Sequence, residues 1–324
     1  MSSPPHVMVM LRALLRISRP FTLLPPALGM LSGAVAALAV ERLRTGQALE
    51  GLLLQHGSMV ALGAIMAMLL NAASNVLNQA TEVELDRINK PHRVLPQGAL
   101  SVGLAVAFSV LLYVAALLLA WQLQPAPGVR HAFWCALTAA LATVLYTVRP
   151  VYLKARGWWA NLTIAVPRGM LLKVAGWATV RAADHPEPWF MGAVFALFIL
   201  GAASSKDFAD VVGDRAHGIG TLPVRYGPAI AARRIAPAFV LPWLMLPLGV
   251  WTTGPGGQPW LQSAPIPTTV LAVVLCGVGA SMLPLLRDPE AISREANHPI
   301  WARMYALMML SQVGLAACYV WAVV

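Results

Sequence analysis

The sequence predicts an all-α, polytopic membrane protein, and three observations carry that prediction. Hydrophobic residues make up 58% of the 324 and charged residues only 11%, against roughly a quarter charged in a soluble domain. Nine apolar stretches approach the ~20 residues that cross a bilayer, at about 21–40, 57–80, 101–121, 131–148, 158–180, 189–205, 235–252, 266–286 and 301–323. The cations are also distributed unevenly. With the amino terminus placed in the cytoplasm, the outer connections hold only Arg42, Arg44, Arg130 and Arg181, and the other loop cations lie inside. This is the positive-inside pattern, and nine spans then put the carboxyl terminus outside.

Each stretch is expected to be helical, because lipid offers backbone polar groups no partner beyond the segment itself. In chain order, residues 1–10 lack the basic start and short apolar core of a cleaved signal, so the amino terminus is expected to be retained. The second span runs into 82–98, the first connection rich in acids, bases and amides. The third and fourth are joined outside by the bland segment 122–131. The fourth and fifth are joined inside by 149–157, and the sixth leads into a second charged connection, 206–225. The outer segment 253–259 is uncharged and rich in Gly and Pro. Any chemistry therefore belongs to the cytoplasmic side. A weak repeat supports this: Glu84-Leu-Asp-Arg-Ile-Asn-Lys-Pro follows the second span and Val212-Gly-Asp-Arg-Ala-His-Gly-Ile the sixth. The chain reads as one domain, 1–324, in two similar halves of about 1–130 and 131–324.

Composition also narrows the function. A net charge of +10 would suit nucleic acid, but no soluble basic domain carries it, and topology accounts for its placement. Cys135, Cys276 and Cys318 lie in apolar spans without a CxxC pair, which supports neither a disulfide framework nor a zinc site.

Two acidic clusters carry the chemistry. Asn78, Glu82 and Asp86 are spaced i, i+4, i+8, which puts them on one face of a helix continuing the second span, with Asn71 and Asn75 extending the stripe upstream. Asp207, Asp210 and Asp214 are spaced i, i+3, i+7 at the end of the sixth. Carboxylates at the end of an apolar span are expensive unless cations or a metal pair with them. Hard oxygen donors suit Mg²⁺, which takes one or two carboxylates together with substrate phosphates. Two such faces across a cavity would grip a diphosphate and stabilise its departure.

The run from Asn78-Gln-Ala-Thr-Glu82 through Asp86-Arg-Ile-Asn-Lys-Pro-His-Arg93 resembles the first signature of the UbiA superfamily of intramembrane prenyltransferases, NxxxDxxxD before a basic, Pro-containing stretch. Lys206-Asp207-Phe-Ala-Asp210-Val-Val-Gly-Asp214 resembles its second, DxxDxxxD. Tyr146-Thr-Val-Arg149-Pro-Val-Tyr-Leu-Lys154 resembles its Tyr and Lys segment, and Arg19-Pro20-Phe-Thr its opening. The resemblance spans about residues 16–227. It implies nine transmembrane helices around a central cavity opening near the cytoplasmic face, and transfer of a prenyl group from its diphosphate to an acceptor. Asn78, Glu82, Asp86, Asp207, Asp210 and Asp214 would bind the diphosphate through Mg²⁺. Arg19, Arg93 and Lys154 would contact phosphate oxygens, with Lys206 beside them and Tyr146 lining the site. Glu82 stands where the family has Asp, and either Arg149 or Lys154 would be the cation of the third segment. The pattern lies nearest to branches acting on homogentisate-type aromatics, chlorophyllide or glyceryl phosphate ethers, and an aromatic, quinone-precursor-like acceptor is expected. The implied location is the plasma membrane.

Arg168 and Lys173 fall inside the fifth span, where a cation faces a cavity, pairs, or snorkels. Arg168, near mid-span, is expected to line the cavity and contact the diphosphate, and Lys173 to snorkel outward. Trp158 and Trp159 read as an interfacial belt. His6, His56, His131, His185 and His298 show no metal spacing and read as loop or interface residues, whereas His92 and His217 lie in the signature loops. The alternative from another class is an ion- or proton-coupled secondary transporter, whose sites lie near the midplane on broken helices; the acidic clusters here lie at span ends.

Overall fold

The computed structural model describes residues 6–294 and 298–324; residues 1–5, on which the amino-terminal expectation partly rests, lie outside the described residues. The first element, α1 (His6–Ser18), was not anticipated. It exposes Met8, Met10, Leu11 and Leu15 while burying Ala13 and Ile17, a pattern suited to lying in a bilayer interface. A turn at Pro20–Leu23 leads into α2 (Leu24–Thr45), and α3 (Leu49–Thr81) returns. At 33 residues and ~1.5 Å per residue, α3 is about 50 Å long, more than the ~30 Å hydrocarbon core. A helix of that length is long enough to carry its last polar turns past the lipid.

After α4 (Val83–Asn89), the helices α5 (Val102–Gln122) and α6 (His131–Thr147) pack on α3. The stretch expected as one span at 158–180 is broken into α7 (Trp158–Ala165), a π turn (Val166–Leu171) and α8 (Leu172–Trp177). Pro167 has no N–H to donate, so the helix widens there and Arg168 sits in the widened turn. Next come α9 (Pro186–Ala202), a 3₁₀ turn (Ala203–Phe208), α10 (Val211–Ala216) and α11 (Leu222–Tyr226). The remainder is α12 (Pro228–Ile235), α13 (Met245–Trp251), α14 (Pro265–Ala280), α15 (Pro289–Arg294) and α16 (Pro299–Trp321).

Among the described residues, seven segments are long and apolar enough to cross a membrane: Pro20–Thr45, Leu49–Thr81, Val102–Gln122, Pro186–Phe208, Pro228–Trp251, Pro265–Arg287 and Pro299–Trp321. The other two expected stretches are the 17-residue α6 and the broken α7–α8 rod. Among the described residues there is no strand, only two isolated bridges.

Helix α8 lies directly on α2 because both carry glycine at the crossing. A Cβ on Gly33 would stand 2.4 Å from the Lys173 carbonyl oxygen, and one on Gly176 2.1 Å from that of Met30. Small residues of this kind let membrane helices approach backbone to backbone. The crossing corrects one expectation: Lys173 does not snorkel. It is fully buried, hydrogen-bonded to Ser32 and Gln312, with its ammonium 4.0 Å from the Phe195 ring centroid. Helix α8 packs inward between α2 and α9, so its side chain has no route to the interface. His56 is also no loop residue: it is buried within α3.

Candidate active site

Helix α3 presents Asn71, Asn75 and Asn78 on one face, and hydrogen bonds anchor that stripe. Asn71 Nδ2 donates to Thr22 O (3.0 Å), Asn75 Nδ2 to Thr22 Oγ1 (2.8 Å), and Gln79 Nε2 to Ile17 O (2.7 Å). The turn before α2 is thereby tied to α3. It holds Arg19 at φ 55, and Tyr152 at φ 40 is the other non-glycine residue of positive φ among the described residues. Such backbone persists where its surroundings over-determine it, commonly at functional sites.

The first acidic segment is not the continuous helix its spacing predicts. Helix α3 ends at Thr81, Glu82 adopts φ −113 and ψ 22, and Asp86 belongs to α4. Backbone bonds from Glu82 N to Asn78 O (3.1 Å) and Asp86 N to Glu82 O (2.8 Å) keep the rise near helical, so the three side chains remain neighbours. Asn78 Nδ2 donates to Glu82 Oε2 at 2.9 Å. The other carboxylate oxygen reaches the connection after α6: Lys154 Nζ donates to Oε1 at 2.7 Å and the Tyr152 hydroxyl at 3.4 Å. Glu82 thus uses its longer arm to cross between two segments. Burial alone would lower Lys154, but Glu82 holds its ammonium above the usual lysine range.

Asp86 is 2% exposed and pairs with Arg93 at 2.6 Å. Asp210 pairs with Lys90 at 2.6 Å, which joins the two charged connections directly. They abut closely: a Cβ on Gly213 of α10 would stand 2.3 Å from Asn89 Oδ1. The second acidic segment is likewise not one helix. Asp207 lies in the 3₁₀ turn, Asp210 caps α10 and Asp214 lies within it. Asp207 is half-buried and forms no ion pair among the described residues. Asp214 Oδ2 accepts from Thr221 Oγ1 at 3.2 Å, whereas Oδ1 is the one buried side-chain polar atom without a partner among the described residues.

These segments border a chamber lined by Arg19, Asn78, Tyr146, Arg168, Lys206 and Tyr305 among others. A neighbouring cavity is lined by Arg16, Lys90, Arg93 and Asp210, and Arg19, Gln79 and Trp301 border both. Arg19, Arg168 and Lys206 have no carboxylate partner among the described residues. The chamber therefore presents three uncompensated cations to whatever enters it. Arg149 is exposed, 5.6 Å from the Tyr152 ring centroid, so the 149–157 connection turns Lys154 rather than Arg149 inward.

Among the described residues, no three His, Cys, Asp or Glu side chains form a ready metal cage. The physical reason is visible in the pairing: Lys154 and Lys90 each tie a carboxylate to another segment, and Arg93 holds Asp86 within its own connection. The donor set still fits Mg²⁺, which needs few carboxylates when phosphate oxygens and water complete its shell. The orphaned Asp214 Oδ1 is a hard acceptor of that kind.

Burial pushes the Asp214 carboxyl up to about 7, against the opposing charge of Lys154. The folded chain then holds a proton that the unfolded chain has released, between about pH 4 and pH 7. Without divalent metal, stability is expected to fall as pH rises through that window and to level off above it. Thermal unfolding of wild type and Asp214→Asn at pH 5 and pH 8 checks this: the variant loses less stability across the interval. Equal losses in both would refute it.

Three contributors were not assigned from the sequence: Lys90, Tyr152 and Thr221. Lys90 lies four residues after Asp86 in the Asn-Lys-Pro run, a legible signal. Tyr152 and Thr221 carried none, since their hydrogen bonds to Glu82 and Asp214 depend on how the connections fold.

Residues 45–298 match the model of the UbiA prenyltransferase family. The chain belongs to that family. This UbiA chain is 29% identical over 294 residues to the bacteriochlorophyll synthase 33 kDa chain of Rhodobacter capsulatus, covering 86% of this chain and 85% of that one. It is 30% identical over 182 residues to the digeranylgeranylglyceryl phosphate synthase of Methanothermobacter thermautotrophicus, covering 56% and 60%. Its fold matches that of a UbiA homologue from Archaeoglobus fulgidus bound to GPP and Mg²⁺, with a TM-score of 0.66 at 17% identity over 96% of this chain and 99% of that one. Membership in the UbiA family selects a multi-pass membrane transferase over a transporter.

Proposed function

We propose that this chain transfers a prenyl group from a prenyl diphosphate to a lipophilic, aromatic ring acceptor, releasing pyrophosphate at the cytoplasmic membrane face. The observation that carries this reading is the division of charge at the site. Glu82, Asp86 and Asp210 are each neutralised by a cation, while Arg19, Arg168 and Lys206 stand unpaired around the chamber. A diphosphate supplies the missing anion.

In this reading Asn78, Glu82, Asp86, Asp207, Asp210 and Asp214 hold Mg²⁺, and Arg19, Arg93, Lys154, Lys206 and Arg168 grip phosphate oxygens. Bound Mg²⁺ supplies neutralisation of the charge that develops on the leaving diphosphate. The cations donate N–H bonds to the oxygen that receives the electron pair as its bond to the prenyl carbon breaks. An electron-rich atom of the acceptor forms the new bond to that carbon, and its proton passes to water. Tyr146 closes the wall of the chamber, and the apolar clefts beyond Arg168 keep water from the allylic carbon. Glu82 supplies a carboxylate at an Asp position through its contact with Lys154, and Lys154 rather than Arg149 is the phosphate cation of its segment.

The chain is proposed to cross the plasma membrane nine times, as the seven long segments together with α6 and the α7–α8 rod. Its amino terminus is inside and its carboxyl terminus outside, and its single domain comprises two related halves, about 1–130 and 131–324. For the acceptor, the match to bacteriochlorophyll synthase over 86% of the chain, against 56% for the glyceryl phosphate ether synthase, favours a ring compound.

The test is pyrophosphate release by purified protein with geranylgeranyl diphosphate and a panel of aromatic and alcohol acceptors, with and without Mg²⁺. Release that requires both Mg²⁺ and a ring acceptor is expected. Release with alcohol acceptors alone would overturn the acceptor class, and Mg²⁺-independent release the metal assignment.

A further inference from the structure

Below the cationic chamber, a cavity runs between α2, α9 and α16, lined by Pro26, Arg168, Phe198, Met308 and Gln312 among others. Arg168, Lys206 and Tyr305 border both spaces, so the two are continuous in their lining. On α16, Tyr305, Met308 and Gln312 recur at i, i+3 and i+7 and face this cavity together. At ~1.5 Å per residue, Gln312 lies about 10 Å further from the cations than Tyr305.

Gln312 is not a stray polar group. Its Oε1 accepts from Ser32 Oγ (2.8 Å) and from the Lys173 ammonium, so both carbonyl lone pairs are taken. These two contacts place the amide oxygen toward Ser32 and Lys173 and its nitrogen on the other side. Lys173 is itself fully buried, has no carboxylate partner among the described residues, and is held by the Gly33 and Gly176 crossing. The Gln312 side chain is 97% buried, at 3% exposure, and its Nε2 has no hydrogen-bond partner among the described residues. Nor is that nitrogen among the buried orphans, so its remaining exposure opens into the cavity. A buried, oriented, unused N–H donor about two helical turns from the Tyr305 end of the cavity discriminates strongly, because a ligand lacking the matching acceptor leaves it unpaired.

We propose that Gln312, locked by Ser32 and Lys173, is a specificity-determining donor for a carbonyl oxygen of the acceptor substrate. The prenyl donor cannot use it, because an isoprenoid tail carries no hydrogen-bond acceptor. The inference rests on the transferase reading for its substrate and adds a requirement: the acceptor carries a carbonyl roughly 10 Å from the end that meets the diphosphate.

The test uses the full chain in lipid nanodiscs with fluorenone and fluorene as probes, a ketone and its methylene counterpart. Partition into loaded against empty nanodiscs is quantified by chromatography. Wild type is expected to bind fluorenone roughly tenfold more tightly than fluorene, the value of one buried hydrogen bond. Gln312→Glu keeps the contacts to Ser32 and Lys173 but removes the N–H donors, and is expected to erase the preference while leaving fluorene binding within about twofold. Ser32→Ala, which frees the amide to turn, narrows it. No ketone preference in wild type, or an unchanged preference in Gln312→Glu, overturns the proposal. Pyrophosphate release on the same preparations separates the two readings. Preference without release with any donor removes the transferase and leaves the subsite, and release without preference removes the subsite alone.

Discussion

Asp86→Asn is expected to lower Mg²⁺-dependent pyrophosphate release by roughly 10²–10³-fold, the effect of deleting one buried electrostatic contact to a developing charge. Asp86 is 2% exposed and its carboxylate is bonded to Arg93 at 2.6 Å. Asparagine has the same shape and can still accept from the Arg93 guanidinium, so the fold is retained. What disappears is the negative charge that would hold a divalent ion against a phosphate. Asp210→Asn, at the other end of the joined loops, is expected to behave alike, and the double variant to be no worse than either single one, because groups acting as a unit are not additive. The measurement is single-turnover release at saturating donor, with thermal unfolding alongside. Full activity in either folded variant would remove that residue from the metal-binding set.

Lys154→Met is expected to destabilise the protein by about 3–5 kcal/mol as well as to impair transfer, the usual consequence of stranding one member of a buried ion pair. Glu82 is 6% exposed and would keep only Asn78 and Tyr152 as partners. The double variant Glu82→Gln with Lys154→Met removes both charges and should recover most of the lost stability, since a neutral pair of similar volume costs little. It should not recover transfer, which needs the carboxylate and the cation separately once a diphosphate is bound. Denaturation midpoints in detergent and pyrophosphate release on the three variants check both halves. Equal stability in wild type and Lys154→Met would show that the pair contributes nothing to the fold.

Much of the architecture was legible because it follows from the solvent. A bilayer forces runs of ~20 apolar residues into helices, and each stretch read from the sequence falls on helical structure. The acidic signatures were legible for a similar reason: carboxylates beside an apolar span need a partner, and their spacing kept them neighbours even where α3 breaks at Glu82. The break was not legible, because no Pro or Gly marks it, and the Glu82–Lys154 pair found there is a long-range contact. The same holds for Lys90 with Asp210, 120 residues apart.

What the sequence determined by itself is the class of the protein, its helical stretches and the two acidic clusters proposed to meet a diphosphate, since each is set by composition, periodicity and a short motif. Tertiary structure alone decided which cation holds which carboxylate, that Lys154 and not Arg149 turns inward, and that Lys173 is buried against Ser32 and Gln312 instead of snorkelling. Those outcomes depend on close approaches such as Gly33 on Lys173 and Gly213 on Asn89. Local periodicity cannot encode them, because the partner atoms belong to helices far away in the chain.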